Sequence, residues 1–473
     1  MKNLFLFLLS VALSVTACQS DISNDGNGAT SSFDPELAIT IDSLSFDAEG
    51  GTQTIAVAAN CEYEISTTAD WVSYTKTDEG VIITVPYYVD VEERSADITI
   101  SIEQYNFSKV VAITQNGLSE EAYAKHCIVY TSSDGKVVEY YVHSSFGANV
   151  ISNTYEGDKG IIKFDGPVTK IDSYAFRNNN NLISMIIPDG VTSIGYSAFY
   201  NCTNLESVTI PDSVTDIGVW AFYDCRGLTG VTIPNSVASI GNKAFCGCSK
   251  LASVTIPDSV TSVGYAIFCQ CKNLEAFYGK YASSDNRCLI VDGVLNSFAP
   301  LGLTSYDILD SVTSIGESAF DSVGTLKSVT IPNSVTSIEK NGFYYCYKLS
   351  SIVIPSSITS IATSTFGACS GLKSVTIPDS VTSIGDEAFH RCYELPTITI
   401  PASVTSIGQD AFSGCYKMES VYCQAATPPA GGEDMLSAHL YYRLIYVPRN
   451  SVDAYKSAEY WSDYADYIAG YEF

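Results

Sequence analysis

Phenylalanine recurs every 23 residues through most of this chain, at Phe176, Phe199, Phe222, Phe245 and Phe268, then at Phe320, Phe343, Phe366, Phe389 and Phe412. Proline keeps the period at Pro188, Pro211, Pro234 and Pro257 and again at Pro332, Pro355, Pro378 and Pro401. So does cysteine, at Cys202, Cys225, Cys248 and Cys271, then Cys346, Cys369, Cys392 and Cys415. A 23-residue unit cannot bury its own apolar face, so the copies must stack as a solenoid.

Leu372–Glu394 shows the unit: Leu-x-x-Val-Thr-Ile-Pro-x-Ser-Val-Thr-Ser-Ile-Gly-x-x-Ala-Phe-x-x-Cys-x-x. Leu, Val and Ile of the opening run point inward, and Pro ends the strand because it has no N–H to give a ladder. Val-x-x-Ile crosses the back, Gly turns the chain, and Ala-Phe-x-x-Cys closes the coil. The opening residue steps from Leu182 to Met418 by 23, except from Leu274 to Leu303, where the step is 29; a degenerate unit begins at Lys159. The expected fold is mainly β, with a capped solenoid of about twelve 23-residue coils over 159–423. In the long unit, 287–299 carries Asp292-Gly293 between apolar runs, the signature of a hairpin, expected to project as a flap. Segments 118–158 and 424–473 are expected to cap the two ends.

Ahead of the repeats, 35–117 alternates apolar and polar residues in short runs such as Thr54–Ala58, Val81–Val85 and Ala96–Ile102, broken by Gly50-Gly51 and Asn116-Gly117. This spacing predicts an immunoglobulin-like β-sandwich. Residues 1–17 read as a secretory signal peptide, with one Lys, an apolar run from Leu4 to Val15 and small residues after it. Val15-Thr16-Ala17-Cys18 resembles the bacterial lipobox, which implies lipidation at Cys18 and a tether over 18–34, the only attachment to a membrane.

Composition removes whole classes of function. The net charge is -27 and no Lys/Arg stripe is present, so nucleic acid is excluded as a partner. The histidines (His126, His143, His390, His439) are scattered, and no phosphate loop, paired-carboxylate motif or metal-spaced cluster appears. No enzyme, cofactor or metal is expected, and a monomer is. The periodic cysteines should form a buried ladder of thiols beside the Phe ladder. Cys246 and Cys269 superficially look like part of a four-thiolate site, but they precede the ladder cysteines by two and should point out; whether they bond to each other stays open.

Three stretches, Ala69-Asp70-Trp71-Val72, Arg94–Ile100 and Val111–Gly117, resemble the BACON domain of secreted Bacteroidetes proteins, which implies a glycan-binding or spacer role for 35–117. Trp71 reads as a core residue, with a sugar-stacking platform as the alternative. The repeat resembles the BspA-type leucine-rich repeats of bacterial and some protist surface proteins. That resemblance implies an outer-membrane lipoprotein exposed on the surface of a Gram-negative cell. It further implies non-catalytic adhesion to host extracellular-matrix or cell-surface proteins or to neighbouring cells, with glycan capture through the BACON-like domain or a purely structural role as alternatives. Tyrosine supplies the candidate contact residues, since it offers a large area at low entropy cost. Tyr347, Tyr393 and Tyr416 each follow a ladder Cys and should share one edge; Tyr344, Tyr345, Tyr200 and Tyr223 fall at other variable positions.

Overall fold

The computed structural model describes residues 34–437 and 443–473. The expected signal peptide, Cys18 and nearly all of the tether lie outside the described residues. The chain divides into two compact units, Met1–His126 and Cys127–Phe473.

In the first unit the order Ser43–Phe46, Phe107–Gln115, Arg94–Ile102, Glu64–Thr67 makes one sheet, and Gly51–Ile55, Gly80–Val85, Ser73–Thr77 makes another. The alternation decides the packing: Ile55, Val81, Ile83, Ile98, Ile100, Val111 and Ile113 are all fully buried in one cluster. A short pair, Leu37–Ile39 with Val57–Ala59, completes the unit.

The second unit is the solenoid, of about 13 coils. Parallel pairs run in the 23-residue register on two faces, Ser351 with Ser374 on the first and Ser193 with Asp216 on the second. The repeated hydroxyls tie coil to coil. Ser213, Ser236, Ser380 and Ser403 each donate to a backbone carbonyl one coil back, as Thr215, Thr336, Thr382 and Thr405 do on the second run. On the Phe side each coil holds two residues in the left-handed region, for example Ser197 (φ 53) and Asn201 (φ 57), whose N–H groups donate to Val219 and Tyr223 of the next coil. Gly holds most coils close at one repeated position: a Cβ on Gly218 would lie 2.8 Å from the carbonyl carbon of Gly195, whereas Glu339 and Ala362 occupy the same position in two later coils.

Four features depart from the even stack. The strand Lys159–Phe164 is separated from Leu182–Ile186 by Cys127–Ser132, which pairs antiparallel with both. The coil opening at Leu228 has no strand on its first face, where Gly230 stands in the place of the usual Ser. The hairpin does not project as a flap. Cys288–Val291 and Val294–Phe298 pair antiparallel, and the second strand joins Ser314–Ile315 in parallel. Cys288, Leu289, Leu295 and Ala299 are fully buried, because the apolar runs either side of Asp292-Gly293 are core, not surface. Asn296 Oδ1 and Ser297 Oγ accept from the N–H groups of Ile267 and Phe268, taking over from the backbone ladder at the break. Finally, 424–473 does more than cover the last coil: Leu444–Pro448 and Ile468–Tyr471 extend the parallel sheet from Ser420–Cys423.

Candidate functional site: the aromatic edge of the solenoid

The expected thiol ladder is present and carries a bonding pattern. Each thiol donates to the Phe carbonyl 26 residues earlier, as Cys202 to Phe176 at 3.0 Å and Cys369 to Phe343 at 3.1 Å. Burial pushes the thiols of Cys202, Cys271 and Cys415 up to about 12, so they are protonated and unreactive at neutral pH. Cys246 and Cys269 lie outside the main core, as the spacing predicts, but are not exposed. They are bonded to each other, with Cα atoms 4.6 Å apart, and are buried with Ala266 beneath Tyr223.

These observations set a chemical test. Iodoacetamide at about pH 8 is expected to leave every ladder thiol of the folded protein unmodified and to label all of them after denaturation, as read by peptide mass mapping; labelling of a native ladder thiol contradicts the packing. Reduction of Cys246–Cys269 is expected to lower stability by about 2–4 kcal/mol by freeing the unfolded chain. Because burial raises the thiol pKa values only in the folded state, stability is full below the ordinary thiol pKa and falls as pH climbs from there toward about 12.

The predicted tyrosines fall on three neighbouring columns of one edge, set by their distance from the ladder Phe. Tyr200, Tyr223 and Tyr344 follow it directly, Tyr345 stands two after it, and Tyr347, Tyr393 and Tyr416 four after it. Ring contacts gather them into three groups. Tyr200 stacks on Tyr223 at 5.1 Å, with the Arg177 guanidinium 5.0 Å from the Tyr200 ring. Tyr344, Tyr345 and Tyr347 form a second group, at 6.4 and 5.8 Å. Tyr393 stacks on Tyr416 at 5.3 Å with planes 16° apart. The first group is half-buried, and burial raises the Tyr223 phenol. Tyr345, Tyr347, Tyr393 and Tyr416 are 48%, 42%, 37% and 59% exposed, so area available for contact lies on the C-terminal coils. Tyr223 and Tyr344 also line one polar concavity of about 260 Å³ with Lys243, Gln270 and Asp321. Asp321 is buried, which raises its carboxyl, and it accepts from Gln270 Nε2 at 3.0 Å and Ser322 Oγ at 2.8 Å.

In the N-terminal unit Trp71 is half-buried and its ring is covered. The Arg94 guanidinium lies 4.1 Å from the Trp71 ring and 4.1 Å from that of Tyr88, and donates from Nε and Nη2 to Gln115 Oε1. Gln115 is fully buried and returns its amide to the carbonyls of Asp47, Ala48 and Pro86. The three stretches singled out in the sequence thus meet in a structural cluster, with a cation–π contact on one face of the Trp71 ring.

Sequence reasoning missed a groove of about 960 Å³ at the N-terminal end of the solenoid, between 134–142 and 174–181. The signal available was the run Asn178-Asn179-Asn180-Asn181 in the degenerate first coil, beside Tyr140-Tyr141 in a segment read only as a cap. Among the described residues no group of acids, cysteines and histidines is placed to hold a metal ion, and no helix is long and apolar enough to cross a membrane.

Stacked 23-residue coils with an inward Leu/Val/Ile strand and a Phe–Cys ladder define a leucine-rich-repeat solenoid. The profile of the BspA type leucine rich repeat region matches residues 159–281 and 295–419 in 6 copies, just over half of the chain, and the protein belongs to that family. Its interruption, 282–294, takes in the first strand and turn of the hairpin. Among solved structures the chain is similar to a leucine rich cell surface protein from Faecalibacterium prausnitzii, at 31% identity over 57% of this chain and 86% of that one, TM-score 0.42. It is similar too to a leucine-rich repeat protein from Bacteroides ovatus, at 26% identity over 68% and 90%, TM-score 0.35. A third, from Eubacterium ventriosum, is 22% identical over 61% and 95%, TM-score 0.38. No curated protein matches the chain.

Proposed function

We propose that this chain is a non-catalytic binding protein that holds a protein ligand on the tyrosine edge of its solenoid. The observation that carries the reading is two exposed ring pairs on the C-terminal coils, Tyr345 with Tyr347 and Tyr393 with Tyr416. Rings already fixed by stacking lose little freedom on binding, and Tyr is favoured at the buried centres of interfaces. Membership of the leucine-rich-repeat family supports the class, and the leader with Cys18 supports display at the outer membrane of a bacterial cell by a lipid anchor. In this reading the ligand is a host extracellular-matrix or cell-surface protein and the role is adhesion. The sandwich 35–117 serves as a spacer, since Arg94 occupies the Trp71 face.

The test is binding of soluble Gln19–Phe473 to an immobilised panel of extracellular-matrix proteins. Saturable binding to at least one is expected. Silence across the panel contradicts the adhesive reading and leaves a structural surface role in its place.

A further inference from the structure

The groove at the N-terminal end of the solenoid shares Arg177 with the Tyr200 group but none of its lining with Tyr345, Tyr347, Tyr393 and Tyr416, and four hydrogen bonds fix its walls. Tyr141 N donates to the Ala175 carbonyl at 2.9 Å and Ser133 N to that of Asn181 at 2.8 Å. Asn179 Nδ2 donates to the Glu139 carbonyl at 2.7 Å, and Asn181 Nδ2 to Asp134 Oδ2 at 3.0 Å. Segment 134–142 is thereby held along the coil edge, and the space is shaped before any ligand arrives. Its 960 Å³ lies at the upper end of the range of small-molecule sites, roughly 300–1,000 Å³.

The lining joins two chemistries. Tyr141 and Tyr174 are 51% and 36% exposed, with centroids 6.5 Å apart and planes at 66°, so the groove meets two ring surfaces at an angle. Asn178–Asn181 line the same space; Asn179 and Asn181 use their Nδ2 in the walls and Asn178 and Asn180 accept at Oδ1 from Asn201 and Thr203, so the run offers a ligand the Nδ2 groups of Asn178 and Asn180 and the Oδ1 atoms of Asn179 and Asn181. Side-chain amides present donor and acceptor together, matching adjacent hydroxyls, while aromatic surfaces match the C–H faces of a pyranose. The charges balance: Asp134 and Glu139 stand against Lys136 and Arg177, in a chain whose net charge is -27. A neutral, hydroxyl-rich ligand fits this lining better than a charged peptide or an anion. Tyr174 sits at φ 63, the left-handed position that each coil repeats and that Gly adopts freely, so a glycine there is compatible with the fold.

We propose that this groove binds a neutral oligosaccharide, stacked on Tyr141, bordered by Tyr174 with Arg177 against its ring at 5.4 Å, and hydrogen-bonded by the amide atoms that Asn178–Asn181 leave open. The full chain is applied to an array of neutral gluco-, xylo-, manno- and galacto-oligosaccharides, and the hits are titrated calorimetrically. At least one series is expected to bind saturably, and Tyr141→Ala and Tyr174→Gly each to weaken it by up to about tenfold. Tyr141 is exposed, and Tyr174→Gly relieves the backbone, so neither loss reflects misfolding; a Tyr393→Ser/Tyr416→Ser variant keeps full glycan affinity. Silence across the array overturns the proposal, as does glycan binding that survives both groove variants. Loss of matrix-protein binding in the groove variants without any glycan signal overturns it in favour of a second protein contact, and leaves the tyrosine-edge reading to its own test.

Discussion

Phe366→Ala is expected to cost about 3–5 kcal/mol, and the damage should stay on one side of the hairpin insertion. Phe366 is fully buried between Phe343, at 5.5 Å and 9°, and Phe389, at 5.4 Å and 12°. Alanine removes the side chain's burial, leaves a cavity lined by rigid neighbours and deletes two stacked pairs, each worth about 0.5–1.5 kcal/mol beyond area. The buried core is divided at the insertion: Phe176–Phe277 belong to one cluster, and Phe298–Phe412 to another that continues to Ile468. In a solenoid each coil depends on its neighbours, so a weakened contact acts locally before it acts globally. Hydrogen exchange should therefore accelerate in the coils from Phe320 to Phe412 while those from Phe176 to Phe268 keep their protection. Equal loss in both halves contradicts the division into two stacks.

The second large effect is expected at Arg443, a charged side chain only 2% exposed in the C-terminal segment. Its guanidinium donates to the carbonyls of Cys415 at 3.0 Å and Met418 at 3.3 Å, both in the last repeat, and to that of Leu436. Burial lowers its pKa, yet an arginine keeps its proton, so the carbonyl dipoles must hold the charge. Arg443→Ala strands three acceptors at about 1–3 kcal/mol each and opens a cavity, while recovering part of the desolvation cost. A net loss of about 3–5 kcal/mol is expected, measured by chemical denaturation. Arg443→Lys should recover less than half, because an ammonium is more strongly hydrated and does not span three acceptors in one plane. An unchanged midpoint in Arg443→Ala would show that the end of the stack is held by something else.

The register was legible because its determinants are local and repeated: Pro378 ends a strand, Ser380 and Thr382 tie neighbouring coils, and Phe389 and Cys392 fill the interior whatever the copy number. The departures come where the repeat gives no template. Cys127–Ser132 enters between two strands far away in sequence, and no local pattern announces such a partner. Asp292-Gly293 specifies the reversal of the hairpin, but whether it projects does not follow from the sequence, because the burial of Leu289 and Leu295 depends on the coils around them. Cys246 and Cys269 were placed on the right side of the coil, outside the main core. Their bond depends on the two coils' spacing, and their burial on Tyr223 from a third. Of the candidate site, the tyrosine columns follow from counting within the unit. The groove does not, since it needs the cap segment laid along the first coil.

The most direct test of the account compares the affinity of the wild-type chain and of a Tyr347→Ser/Tyr393→Ser/Tyr416→Ser variant for the same immobilised matrix protein, with thermal unfolding recorded on both. Anchoring tyrosines at an interface carry about 2 kcal/mol or more each, about 30-fold for one alone, so a fall in affinity of at least about 30-fold at an unchanged melting temperature is the expected result. Equal affinity in the two proteins would contradict the assignment of the ligand to the tyrosine edge.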